Sequence, residues 1–192
     1  MAATLAATLI FAGIIGGLLW WPATVLVLPG LAAAWVTFML TQIRSQLSST
    51  GGGWERRIHE FVADRLSLEP GSAGRVLDIG CGEAGLITIL LTRATQLDVT
   101  GVDLWSSNWE YSQASCESRI RALGLHAAFL RMDAAGLEFP DDTFDAVASV
   151  MCFHEVQAPA GTQQRGPILA VQEALRVLKP GGRFVLVDRF GP

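Results

Sequence analysis

The chain has 192 residues, 51% of them hydrophobic and only 17% charged, with a formal net charge of -4. That mildly acidic balance speaks against a broad nucleic-acid footprint, which needs clustered Lys and Arg to displace counterions. Three widely spaced cysteines, Cys81, Cys116 and Cys152, show neither metal nor disulfide spacing, so a reduced, cytosol-facing domain is expected.

The apolar excess lies at the start. No Asp, Glu, Lys, Arg or His precedes Arg44. A membrane helix needs roughly 20 apolar residues to cross about 30 Å of hydrocarbon, and Ala2–Trp21 and Ala23–Ile43 both offer that length around Pro22. Trp20 and Trp21 suit the interfacial belt, and Pro29–Gly30 are expected to kink or shorten the second run. Residues 1–45 are therefore expected to form a transmembrane helical hairpin. Arg44, Arg56 and Arg57 would place the following domain on the cytoplasmic face of a two-span, multi-pass membrane protein. A signal peptide would carry a basic leading region, and a soluble helical pair would carry charges on its outer faces; both fit less well.

Residues 46–53, rich in Ser and Gly, read as a linker, and residues 54–192 as the main domain. Trp54–Leu66 predicts an amphipathic helix with Trp54, Ile58, Phe61, Val62 and Leu66 on one face. Strands and helices then alternate. Arg75–Ile79, Leu97–Val102, Ala127–Met132, Phe144–Val150 and Arg183–Asp188 are the expected strands. Ala84–Ala94, Glu110–Leu123 (closed by Gly124) and Pro167–Leu178 are the expected helices, and residues 179–182 a turn. This order predicts an α/β, Rossmann-like, doubly wound parallel sheet of about five strands, with ligands bound at the carboxyl ends of the strands.

The first strand runs into Gly80-Cys81-Gly82-Glu83-Ala84-Gly85, which matches the G-x-G-x-x-G fingerprint of dinucleotide sites. Charge argues against that ligand, because pyrophosphate bound at a helix N-terminus is repelled by nearby carboxylates. Here Asp78 stands two residues before the first glycine and Glu83 lies within the turn. A ligand carrying an ammonium and a sulfonium is attracted to the same arrangement. Asp103 ends the second strand, placed to accept hydrogen bonds from ribose hydroxyls. Asp133 ends the third, where a carboxylate can accept from an exocyclic amine.

These residues carry a resemblance. VLDIGCGEAG looks like the first motif of the class I S-adenosylmethionine-dependent methyltransferases, GVDLW their ribose-binding strand end, and RMDAAGLEFPDDTFDAVASV their adenine-binding and fourth-strand segments. LRVLKPGGRFVLVD is similar to their fifth-strand turn, and WSSNWEYS resembles a subset of small prokaryotic, membrane-anchored members.

The resemblance implies S-adenosylmethionine as cofactor, with the methionine moiety lined by Asp78, Gly80, Cys81, Gly82 and Glu83. It further implies Asp103 on the ribose, Leu104 and Met132 about the adenine, and Asp133 with the backbone of Ala134 at the adenine edge. Ser149 would offer a carbonyl to the ammonium. The third glycine of the pattern is replaced by Ala84, so the helix start is expected to shift. The family adds a helix and two strands beyond the fifth, which this sequence, ending at Pro192, is expected to lack. On this reading the chain transfers a methyl group to a small, lipophilic or membrane-associated acceptor, with His154 as candidate base. Trp105 and Trp109 are candidates for stacking on adenine or lining the acceptor pocket, or for core packing. The expected partners are that small-molecule or lipid acceptor, the membrane, and a second copy or another protein covering the fifth-strand edge, with no nucleic acid. The rival readings are a non-catalytic, cofactor-binding scaffold and a nicotinamide oxidoreductase, the latter disfavoured by Asp78.

Overall fold

The computed structural model describes residues 2–19, 27–47, 53–67, 73–106, 112–158, 160–161 and 164–189. The chain divides into two compact units, Met1–Glu55 and Arg56–Pro192.

In the first unit, helix α1 (Ala2–Leu19) packs on helix α2 (Val27–Leu47). Pro29 and Gly30 do not interrupt α2, which runs unbroken from Val27 to Leu47. Pro29 falls in its first turn, where a missing N–H costs nothing, and so helps to start the helix. Among the described residues no helix is long and apolar enough to cross a membrane. The composition of α2 agrees with that. The final stretch of α2 reads Thr41-Gln42-Ile43-Arg44-Ser45-Gln46, too polar for a bilayer. The expected two-span anchor, and with it the membrane partner and the cytoplasm-facing membrane location, gives way to this finding.

The boundary falls in the first turn of α3 (Trp54–Leu66), and the second unit continues from it as β1 (Gly74–Ile79), α4 (Gly85–Arg93), β2 (Leu97–Asp103), α5 (Gln113–Ala122), β3 (Ala128–Arg131), β4 (Phe144–Val150), α6 (Gly166–Val177) and β5 (Leu178–Val187). The five strands form one parallel sheet in the order β3-β2-β1-β4-β5, as the alternating pattern predicts. Strand β1 is central. The chain winds outward through β2 and β3, then returns to β1's other side for β4 and β5, which makes the β1/β4 boundary the switch point.

Alternation of side chains along the strands supplies both faces with core. Val76, Val99, Ala146 and Ala148 face one side and pack with Leu86, Ile87, Leu90 and the α3 residues Val62, Ala63 and Leu66. Leu77, Ile79, Val102 and Val147 face the other, against Ala170, Ala174, Val177 and Phe153. Helix α3 is thus a packing helix whose expected face is partly right. Val62 and Leu66 are buried, but Phe61 is exposed beneath the Arg65 guanidinium, and Trp54 is exposed.

Two other elements differ from expectation. Helix α5 begins at Gln113 rather than Glu110, because Ser112 and Ser115 close a reciprocal capping box. Residues 107–111, including Trp109 and Glu110, lie outside the described residues. Strand β5 begins at Leu178, paired with Phe144, and resumes at Arg183, paired with Ala146, so the expected turn is a four-residue bulge inside the strand. Gly181 takes φ 81° there. Gly182 lies so close to β4 that a Cβ would sit 2.8 Å from the Asp145 carbonyl oxygen. Lys179 anchors the bulge to the Asp145 carboxylate at 2.7 Å.

Arg176 of α6 clamps the loop between β3 and β4. Its guanidinium donates to the carbonyls of Leu137 and Phe139 and pairs with Asp141 and Glu173, all at 2.7–2.8 Å. Glu173 in turn accepts from the Leu137 N–H at 2.8 Å.

Candidate functional site

Strand β1 is apolar because it is covered on both faces, and its last residues deliver the chain to the glycine loop at the sheet's carboxyl end. The loop is built by its own backbone. The Gly80 and Cys81 N–H groups both donate to the Val102 carbonyl, at 2.8 and 3.1 Å, and the Ala84 N–H to the Cys81 carbonyl at 2.8 Å. The Gly82 N–H donates to Oδ2 of Asp103 at 2.9 Å. Four N–H groups that a phosphate-binding loop would offer to its ligand are therefore occupied. Gly80 has φ 75° and lies against the far wall: a Cβ there would be 2.3 Å from both Cβ and Sγ of Cys152. Ala84, where the family pattern has glycine, takes a left-handed φ of 62° as N-cap, and α4 starts at Gly85.

All three cysteines pack about this loop. Cys81 is buried against Gly101, where a Cβ would approach its Sγ to 2.8 Å. The Cys116 thiol donates to the Gly82 carbonyl at 2.9 Å. Cys152 sits on Gly80. Burial raises all three thiols, Cys152 to about 12, so none is a thiolate at neutral pH. Among the described residues no cluster of His, Cys, Asp or Glu could hold a metal ion.

A cavity of about 620 Å3 opens at the carboxyl ends of β1, β2, β3 and β4, within the usual size of a small-molecule site. Of the expected cofactor residues, Gly80, Asp103, Leu104, Met132, Asp133 and Ala134 line it together. Asp103 is fixed by two backbone donors, Gly82 on Oδ2 and Trp105 on Oδ1, each at 2.9 Å. Asp133 accepts from the Ala135 N–H at 2.9 Å, closing its own turn.

The other expected residues stand behind this wall. Asp78 is buried, and burial together with the Asp103 charge raises its carboxyl to about 7. Ser149 is buried with its hydroxyl donating to the Ile79 carbonyl at 2.9 Å, which ties β4 to β1. The Cys81 side chain turns into the core. Glu83 pairs with Arg119 of α5 at 2.9 Å, so its charge is already matched. Trp105, at φ 40°, is buried and donates its indole N–H to the Gly82 carbonyl at 3.3 Å, and so braces the loop from the core side.

The far wall comes from a segment that sequence reasoning left nearly empty: Met151, Cys152, Glu155, Val156 and Gln157, which follow β4. The signal that could have found them is position, since β4 flanks the switch point. His154 does not line the cavity but sits in the same turn, Phe153–Glu155. Its Nδ1 lies 2.5 Å from Oδ1 of Asp188 and its Nε2 lies 3.6 Å from Oε1 of Glu155. Three carboxylates, Asp103, Asp133 and Glu155, face the cavity. Among the described residues that line it there is no Lys, Arg or His.

Comparison with known proteins gives the same direction. Residues 77–186 match the family model described as a methyltransferase domain. The chain is 34% identical over 135 residues to a demethylmenaquinone methyltransferase of Thermus thermophilus, covering 70% of this chain and 53% of that protein. It is 35% identical over 114 residues to a fatty-acid O-methyltransferase of Mycolicibacterium smegmatis, covering 59% of this chain and 36% of that protein. Among solved structures, the YcgJ protein of Bacillus subtilis superposes with a TM-score of 0.59 at 26% identity, over 71% of this chain and 52% of that one. The [4+2]-cyclase SpnF superposes with a TM-score of 0.54 at 31% identity, over 67% and 43%. The chain thus spans about half, or less, of the length of these relatives.

Proposed function

The chain belongs to the methyltransferase-domain family, whose methyl donor is S-adenosylmethionine, and on that premise we propose that it transfers the methyl group to a small lipophilic acceptor. The observation that carries this reading is the charge of the cavity. Three carboxylates face it, no cationic side chain lines it among the described residues, and four N–H groups of the glycine loop are already taken by protein acceptors. Such a wall attracts a cationic sulfur nucleoside and repels a diphosphate.

Bound there, S-adenosylmethionine supplies a methyl carbon already activated by positive sulfur. Asp103, held from behind by Gly82 and Trp105, keeps lone pairs for ribose hydroxyls. Leu104, exposed on the cavity wall, offers an apolar surface to the adenine, together with Met132. Asp133 and the Ala134 backbone stand at the adenine edge. Asp78 and the Gly80–Gly82 loop stand at the methionine end, where Ser149 is the candidate for a carbonyl contact to the ammonium. The remaining work is to orient the acceptor and exclude water, to which Met151, Cys152 and Val156 contribute apolar wall. His154, one residue from the lining Glu155, is the candidate base.

The lipophilic acceptor is inferred from relatives named for acting on demethylmenaquinone, fatty acid and sterol. Calorimetric titration with S-adenosylmethionine, its demethylated product and NAD tests the site. Tight binding of the first two and none of the third is expected; preference for NAD overturns the reading. Incubation with methyl-labelled donor and a lipid extract then tests catalysis. Donor binding without label transfer would favour a cofactor-binding scaffold.

A further inference from the structure

The turn after β4 is fixed at several points, and two of them fall on His154. Phe153 is fully buried against Phe184 of β5. Gly166 brings the start of α6 so close that a Cβ would lie 2.0 Å from the Val156 carbonyl oxygen. Between these anchors, Asp188 grips His154 twice. Oδ1 meets the ring Nδ1 at 2.5 Å, and Oδ2 accepts the His154 backbone N–H at 3.1 Å. The Asp188 side chain is fully enclosed, and no Lys or Arg pairs with it among the described residues. A buried carboxylate is costly unless hydrogen-bonded and paired, and among the described residues the one side chain that answers it is His154. The Arg189 backbone N–H adds one bond to Oδ1 at 2.7 Å.

We infer that Asp188 is a positioning residue that holds His154 with Nδ1–H donated to it and Nε2 turned toward Glu155 at the cavity wall, so that the acceptor is one that surrenders a proton on methylation. This rests on the methyl-transfer reading above and narrows it. A carboxylate acceptor needs no base; a hydroxyl, or a ring carbon activated by a neighbouring hydroxyl, does. For such an acceptor the new C–O or C–C bond forms as the methyl–sulfur bond breaks, the electron pair of that bond stays on sulfur, and the acceptor's proton passes to Nε2 by way of the lining Glu155 carboxylate, 3.6 Å from it, or one water. The positive charge then on the ring lies between Asp188 on one side and Glu155 on the other. The remaining titratable neighbour, Cys152, is held as a neutral thiol.

Asp188→Asn separates positioning from support, because the amide oxygen can still accept the His154 N–H but the side chain carries no charge. Nitrogen-15 spectra of the imidazoles in the full chain, with His154→Gln to assign the signal, report the tautomer directly. The Nδ1-protonated form is expected in the wild type and its loss in Asp188→Asn. An identical ring spectrum in both overturns the proposal. Turnover is then followed across pH with a naphthohydroquinone bearing a free ring position and with dodecanoate. Methylation of the hydroquinone is expected to fall on the order of 100-fold in Asp188→Asn, with donor affinity kept within about twofold. An unchanged pH profile, or a wild type that binds donor yet methylates only the carboxylate or neither probe, sinks the inference. A wild type that does not bind S-adenosylmethionine at all fails the functional reading instead, and the ring spectra still decide the role of Asp188.

Discussion

The two sides of β1 are built differently. On the β2–β3 side, the acids stand at strand ends and are fixed by nearby backbone: Asp103 by Gly82 and Trp105, Asp133 by Ala135. On the β4–β5 side, the groups are fixed by contacts between segments distant in sequence: His154 by the Asp188 side chain, and Cys152 by the bare backbone of Gly80. The lesson is that the wall proposed to meet the donor is fixed by backbone at the glycine loop and strand ends, whereas the wall proposed to meet the acceptor is fixed by side-chain packing and pairing between distant segments.

Mutations that touch each side separately, or both at once, test that contrast. The largest effect is expected at Gly80, where the sides meet. Gly80→Ala must displace Cys152 and strain a positive φ, at a combined cost of roughly 2–4 kcal/mol in chemical denaturation. Cys152→Gly in the same background should return the overpacking share; no rescue would mean that the two walls are independent. Next, Asp103→Ala removes two charge-assisted bonds that shape the loop. Donor affinity should fall by about 100-fold in calorimetry, about 2.7 kcal/mol and the equivalent of one charge-assisted bond to a ribose hydroxyl, while the His154 ring spectrum stays unchanged. A changed spectrum would break the division into two sides.

A smaller effect follows from Asp78. Its carboxyl is raised to about 7 by burial and then by Asp103, so it must lose a proton to meet an ammonium. Donor affinity should therefore rise with pH up to about 7, by at most about tenfold per unit, and level off above. Stability of the free protein runs the other way. The raised pKa means the folded state binds the extra proton, so this stabilisation is complete below the unfolded value, near 4, and lost as pH rises through about 7. Asp78→Asn should flatten both curves, and a pH-independent affinity in the wild type would remove Asp78 from the ammonium site. The smallest change is expected for Ala84→Gly. Relief of the left-handed φ of 62° and loss of a buried methyl group oppose one another, leaving a shift of less than about 1 kcal/mol in melting experiments.

The same contrast explains what could be read in the sequence. Strands β1 and β2 are short apolar runs that end on an acid or a glycine loop, so their borders and the placing of Asp103 and Asp133 follow from pattern alone. The four-residue bulge in β5 does not, because it depends on Gly182 passing close to the Asp145 carbonyl. Nor could the pairing of His154 with Asp188, 34 positions away, be found from spacing. Glu83 was legible as a charge but not as one already matched by Arg119. The N-terminal helices mark a different limit: two uncharged runs of sufficient length in the sequence predict membrane insertion, yet no described helix is long and apolar enough to cross a membrane.

The clamp made by Arg176 has a further consequence. The loop after Asp133 is shaped during folding, when one planar fork gathers the Leu137 and Phe139 carbonyls with two carboxylates. The conformational freedom of that segment is thus surrendered before any nucleoside arrives, and the ligand meets a rim already set. Lysine cannot span those four acceptors at once. A single exchange far from the cavity would thereby turn a rigid rim into one that each binding event must order anew.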